Sequence, residues 1–220
     1  MNLGLGFVSG IIVSFACGVC FLLIDSGTLP YAPLGLISFP FPLRIAIEVM
    51  LLDLLTYWLH RAYHLVPVLW RFHLVHHMDL DLDVSSASRF HPGEVTLSAL
   101  AKLVVVLLLG ISSIGLVIFE TIMLLCAQFQ HANIAVSPTL ERYLWHMLVP
   151  PEMHRLHHTP AVSDTNSNYG TIFTFWDRLF GTLNARHRVP SESFGVKELH
   201  QPSQGFYKLL LFPFHRSATA

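Results

Sequence analysis

Fourteen histidines, more than the 13 Lys and Arg residues combined, are the side chains of this 220-residue sequence best suited to chemistry. Eight of them fall in three clusters: His60 and His64 spaced HxxxH, His73, His76 and His77 spaced HxxHH, and His154, His157 and His158 spaced HxxHH again. On a helix, residues three or four apart share a face. Each cluster can therefore aim two or three imidazoles at one point. Histidine-rich composition does not account for the pattern. About 0.06 copies of HxxHH are expected by chance, and two copies arise at roughly the 0.002 level, a check every motif match needs. Imidazole suits Zn, Cu, Fe and Ni. A structural zinc takes four ligands, commonly including cysteine, and eight clustered histidines exceed one such shell. Two ions, each with several imidazoles and open positions, fit better, and two adjacent metals point to redox chemistry with dioxygen. Spacing alone leaves iron and zinc both open.

The elements that must position these groups are apolar. Hydrophobic residues make up 53% and charged residues 12% of the chain, and the mean hydropathy is +0.54. Soluble domains carry about 25% charged residues, so the composition excludes a disordered chain and argues against an ordinary soluble enzyme. A net charge of −1 provides no basic field for nucleic acid. Cys17, Cys20 and Cys126 sit in apolar runs, with neither a disulfide framework nor zinc-ribbon spacing.

Residues 7–24 carry no formal charge over 18 positions, the lower edge of a bilayer-spanning helix. The first six residues lack Lys and Arg and no small-x-small cleavage site follows, so this segment reads as a retained helix rather than a signal peptide. Pro30, Pro33, Gly35, Pro40 and Pro42 mark a loop. A second segment, 41–59, contains Glu48 and Asp53, which are expected to face a bundle interior. Segments 95–109 and 114–132 flank the turn Gly110-Ile111-Ser112-Ser113 and read as a helical hairpin. Lys102 and Glu120 are the formal charges well inside these two arms. Both lie roughly 13–14 Å from the turn at about 1.5 Å per residue, so an ion pair across the hairpin is geometrically open. Arg61, Arg71, Arg89, Arg142, Arg155, Arg178, Arg186, Arg188 and Lys197 lie in the two polar stretches with the histidine clusters. The positive-inside rule assigns those stretches to the cytoplasm. The expected fold is all-α: one domain over 1–220, an integral membrane bundle of about four transmembrane helices with a helical, histidine-rich cytosolic cap.

The order HxxxH, HxxHH, HxxHH resembles the membrane fatty acid hydroxylase/sterol desaturase superfamily, and the resemblance extends beyond histidine. Arg89-Phe90-His91-Pro92-Gly93-Glu94 is similar to its R-x-H-P-x-E segment, and Phe129-Gln130-His131-Ala132-Asn133 to its lone His before Asn. Pro151-Glu152-Met153 before His154, Asn168-Tyr169-Gly170 and Trp176-Asp177-Arg178-Leu179-Phe180-Gly181-Thr182 are similar to later family motifs, so the match runs over about 54–182. The resemblance implies an O2-dependent oxidoreductase with two iron ions under a cytosolic cap, zinc being a possible substitute in purified protein. It implies hydroxylation or desaturation of a C–H bond in a membrane lipid, sterol or carotenoid. A separate electron-donor protein is also implied, because the chain contains neither G-x-G-x-x-G nor C-x-x-C-H.

Carried over by position, the metal ligands are His60, His64, His73, His76, His77, His131, His154, His157 and His158. His131 stands alone where some members have HxxxH, with Ala127 at the other position. His91, His146 or a water could fill that gap; otherwise His91 supports the ligands and His146 is a surface residue. His187, His200 and His215 receive no metal role. Carboxylates are expected behind the imidazoles, from Asp53, Asp79, Asp81, Asp83, Glu94, Asp164 and Asp177, with Asp177 favoured. The alternative function is a non-catalytic membrane metal-binding or transport protein. That would need ionisable groups along a mid-membrane path, whereas these histidines cluster on one side.

Overall fold

The computed structural model describes residues 1–26, 32–185, 194–195 and 205–215. Pro30, Arg186, His187, Arg188, Lys197 and His200 lie outside the described residues. The architecture is helical, and an isolated bridge joins Leu148 to Phe173.

Helix α1 (Asn2–Asp25) leads to a short α2 (Pro33–Leu36) and then to α3 (Phe41–Leu65) and α4 (Pro67–His77). A 3-10 turn (Ser86–Ser88) precedes the hairpin of α5 (Pro92–Leu109) and α6 (Ser113–His131). The cap follows as α7 (Pro138–Leu144), α8 (Pro151–His157), α9 (Val162–Thr165) and α10 (Phe175–Leu179); later come α11 (Phe206–Leu211) and a 3-10 turn (Phe212–Phe214). Proline opens many of these helices, α3, α4, α5, α7 and α8 among them. Its ring presets the helical φ, and its missing N–H is one that a first turn leaves unpaired anyway.

Glu48 organises one end of the bundle. Its buried carboxylate accepts the Ser112 N–H at 3.0 Å and the Ser112 hydroxyl at 2.6 Å, and pairs with Arg44 Nε at 2.9 Å. Arg44 also donates to the Gly110 carbonyl at 3.3 Å, closing the α5–α6 turn onto the start of α3. Gly110 ends α5 in the left-handed region at φ 75°, where a Cβ would also lie 2.6 Å from that of Ala32. At Gly115 a Cβ would meet Glu48 Oε2 at 1.8 Å, so the close approach of α6 to α3 requires glycine. Leu52, Val106, Ile111, Leu116 and Phe119 fill the core between α3, α5 and α6.

At the opposite end, Asn2 donates to Asp79 at 2.9 Å and to Ser85 at 3.0 Å, while Arg89 reaches Asn2 Oδ1 at 3.1 Å and Asp79 at 3.3 Å. The start of α1 is thereby tied to the end that carries the histidines.

Three helices among the described residues are long and apolar enough to cross a membrane: α1, α5 and α6. The fourth expected span, α3, is not among them, because Arg44, Glu48, Asp53 and Arg61 spread formal charge along its length. It nevertheless runs from the hairpin turn to the histidine end, and its 25 residues reach roughly 37 Å at about 1.5 Å per residue. Glu48 and Asp53 are fully buried, as an inward-facing role requires.

Lys102 and Glu120 meet in an ion pair, with side chains 14% and 17% exposed. A lone charge at such depth is costly, so Lys102→Met and Glu120→Leu should each destabilise the bundle by on the order of 3 kcal/mol. The double variant should recover part of that loss in thermal melts of the reconstituted protein. Strictly additive losses would show that the two charges do not interact.

Candidate metal centre

The histidines arrive from four elements. The last turns of α3 carry His60 and His64, and the bend at Val66-Pro67 folds α4 back so that its final turns present His73, His76 and His77. His131 ends α6, and α8 carries His154 and His157, with His158 as its C-cap. All nine converge in two groups. The first holds His60, His64, His73, His77 and His157; the second holds His76, His131, His154 and His158. Within each group the candidate ligand atoms lie within 4.8 Å of one another.

Each HxxHH cluster is divided between the groups, rather than aimed at one point as its spacing suggested. Residues four apart on a helix are offset by only about 40°, whereas consecutive residues are about 100° apart. His73 and His77 therefore share one face of α4 while His76 points elsewhere. His154 and His158 share one face of α8 while His157 points elsewhere. The two helices are arranged so that each donates a pair to one group and a single imidazole to the other.

The spacing suits bound cations. Nε2 of His157 lies 3.1 Å from Nε2 of His60. In the second group the Nε2 separations are 3.3 Å for His131–His76, 3.1 Å for His154–His131 and 3.1 Å for His158–His154. Nitrogens bound about 2.1 Å from one ion sit roughly 3.0–3.4 Å apart. The Nε2 atoms of His64, His73 and His77 are buried without a hydrogen-bond partner. Such stranded polar atoms are expensive, and metal coordination would satisfy them.

Several imidazoles are anchored from behind. Nδ1 of His60 donates to the Tyr169 carbonyl at 2.8 Å, Nδ1 of His157 to the Ser167 carbonyl at 2.7 Å and Nδ1 of His131 to the Ala127 carbonyl at 2.8 Å. His73 Nδ1 donates to Glu94 Oε1 at 2.7 Å. A proton held on Nδ1 leaves the Nε2 lone pair free for a metal. Burial holds His76, His77, His154 and His158 well below the ordinary imidazole range. Burial also pushes His157 down to about 3, partly opposed by the Ser167 carbonyl. These side chains stay neutral, the form that ligates metals. Aromatic rings wall the groups: Phe90 stacks on His76 at 4.3 Å, Trp70 lies 4.9 Å from His64, and Tyr169 lies 5.2 Å from His64.

A sequence model described as "Fatty acid hydroxylase" matches residues 45–182, more than half of the chain, and this stretch includes all nine histidines. The chain belongs to the fatty acid hydroxylase family. Curated relatives include an ornithine lipid hydroxylase of Rhizobium tropici, 25% identical over 179 residues that cover 81% of this chain and 53% of that protein. The human alkylglycerol monooxygenase is 27% identical over 138 residues, covering 60% of this chain and 28% of that protein. A Delta(7)-sterol 5(6)-desaturase of Leptosphaeria maculans is 27% identical over 163 residues, covering 71% and 40%. The chain thus spans about half or less of the length of these relatives. They support membership of the wider fatty acid hydroxylase/sterol desaturase superfamily. No solved structure matches the chain at comparable significance.

In the hydroxylase-family segment R-x-H-P-x-E, His91 does not fill the gap opposite Ala127. It is the N-cap of α5: its Nδ1 accepts the Gly93 N–H at 2.9 Å and its Nε2–H donates to the Leu210 carbonyl at 3.1 Å. His146 is an exposed residue beyond α7, and His215 is exposed as well. Of the candidate carboxylates, Glu94 reaches an imidazole directly. Asp177, favoured from the sequence, instead takes the N–H groups of Tyr169 and Gly170 at 2.8 Å each and the Thr182 hydroxyl at 2.7 Å. It acts on His60 through the Tyr169 backbone. Asp53 holds the N–H groups of Ile172 and Phe173 and the Trp176 indole. Asp79 belongs to the Asn2–Arg89 network, Asp83 accepts the Ser85 N–H, Asp81 is exposed, and Asp164 accepts from Asn184. The signal for Glu94 was its position three residues after His91 in the same motif.

Proposed function

We propose that the chain is an oxidoreductase that uses two iron ions and O2 to hydroxylate or desaturate a C–H bond of a lipid-like substrate. The observation that supports this reading is the convergence of nine imidazoles, five and four, at one end of a membrane helix bundle. His60, His64, His73, His77 and His157 would hold one ion, and His76, His131, His154 and His158 the other. Iron bound there would supply reductive activation of O2 and attack on an unactivated C–H bond. The protein's part is to hold the imidazoles oriented and shielded from water. Burial keeps His76, His77, His154, His157 and His158 neutral, the carbonyls of Tyr169, Ser167 and Ala127 and the Glu94 carboxylate orient four imidazoles, and Phe90, Trp70 and Tyr169 wall the groups. Zinc could replace iron in purified protein, since imidazole accepts both. The superfamily resemblance assigns the supply of electrons to a separate donor protein.

The names of the relatives support a membrane lipid or sterol as substrate, and the superfamily resemblance adds carotenoids. Such a molecule would approach from the bilayer, along the apolar helices that end at the histidines. Comparing lipids from cells with and without the gene, each with and without iron, should reveal an oxidised lipid that needs both and that incorporates or requires O2. Unchanged lipids together with stoichiometric bound metal would favour metal storage or transport instead.

The histidine groups are assigned to the cytoplasmic side, because Arg61, Arg71, Arg89, Arg142, Arg155 and Arg178 lie in the polar stretches that carry them. In a background lacking Cys17, Cys20 and Cys126, Ser163→Cys should react with an impermeant thiol reagent only after the cytoplasmic face is opened. Labelling in intact cells would reverse the orientation.

A further inference from the structure

We propose that residues 205–215 form an interfacial anchor whose outward face sits in the lipid headgroup boundary and braces the helix that supplies His73, His76 and His77. Leu209 and Phe212 are buried against Leu5, Leu74, Val75 and Met78, and Phe206 and Leu210 pack beside them. The opposite face is apolar yet uncovered: Tyr207, Leu211 and Phe214 are 79%, 57% and 69% exposed, and Lys208 is exposed next to them. Positions 207, 211 and 214 are spaced i, i+4, i+7, which places them on one stripe of a helical segment.

Depth identifies the occupant of that stripe. Helix α1 has 24 residues, about 36 Å at ~1.5 Å per residue, against a hydrocarbon core of about 30 Å. Its first turn therefore lies at the membrane boundary. The segment packs at that level: a Cβ on Gly4 would lie 3.3 Å from the Phe206 ring, and Leu5 shares the cluster of Leu209 and Phe212. On one side of this level, Asn2 enters the polar network of Asp79, Ser85 and Arg89. On the other, Leu3 and Phe7 begin the exposed apolar face of α1, at 75% and 72%. A stripe of Tyr, Leu and Phe beside a Lys, wedged between polar network and lipid-facing helix, has the chemistry of the bilayer interface. A second attachment runs to the start of α5, where His91 caps the helix with one ring nitrogen and holds the Leu210 carbonyl with the other.

The test uses the full chain without native cysteines, reconstituted in phosphatidylcholine vesicles. Tyr207→Cys, Leu211→Cys and Phe214→Cys each carry a bimane label. Interfacial segments bury about 5–10 Å into the headgroup–acyl boundary, so emission should be roughly twofold lower in vesicles brominated near the top of the acyl chains, with little quenching by iodide. Equal emission in plain and brominated vesicles overturns the proposal. In that case iodide quenching would place the stripe in water, and iodide shielding would place it under protein, a second copy included. Because all three positions point outward, one labelled variant that aggregates leaves two that report on the same face.

Discussion

His157→Ala and His158→Ala should each abolish turnover, although the two residues are adjacent and serve different groups. His157 belongs with His60, His64, His73 and His77, and His158 with His76, His131 and His154. If each group holds one ion, the purified protein contains two ions per chain and either variant contains fewer than two. Turnover should fall by more than about 100-fold, beyond the 10–100-fold typical when only a hydrogen-bond partner behind a ligand is lost. Both side chains are inside a cap built from short helices, so the membrane helices should still insert. One ion per chain in the unaltered protein, or full activity in either variant, would sink the two-metal reading.

Asp177→Ala should weaken the five-histidine group without touching an imidazole. Its carboxylate holds the Tyr169 and Gly170 N–H groups, and the Tyr169 carbonyl in turn holds His60. Removing it strands two buried donors at about 1–3 kcal/mol each and frees the backbone that aims His60. The expected results are a lower melting temperature and faster loss of one ion to a chelator. The second ion should be retained, because His76, His131, His154 and His158 have no hydrogen bond to this loop. Identical melting and chelator kinetics in the variant would show that the loop does not position His60.

Local pattern and composition determined much of this protein. The long apolar runs specify α1, α5 and α6, and the turn at Gly110 specifies the hairpin. Helix rise alone put Lys102 and Glu120 at one depth, where the structure joins them. The HxxxH and HxxHH spacings, with His131, marked the nine histidines that converge. Tertiary structure decided what depends on contacts between distant segments. The division into groups of five and four follows from how α4 and α8 are rotated about their axes. No single cluster contains that information, because each helix offers one pair and one odd imidazole. Glu94 meets His73 because the start of α5 packs on α3 at Tyr63, and Asp177 meets the Tyr169 backbone because the 169–182 loop folds onto α3 at Asp53 and Tyr57. A carboxylate beside a histidine in space leaves no fixed spacing in the chain. His91 looked like a ligand by type, yet the start of α5 and the Leu210 carbonyl claim both of its nitrogens. Sequence specifies which side chains can ligate and which helices carry them; the packing of those helices decides which nitrogens meet.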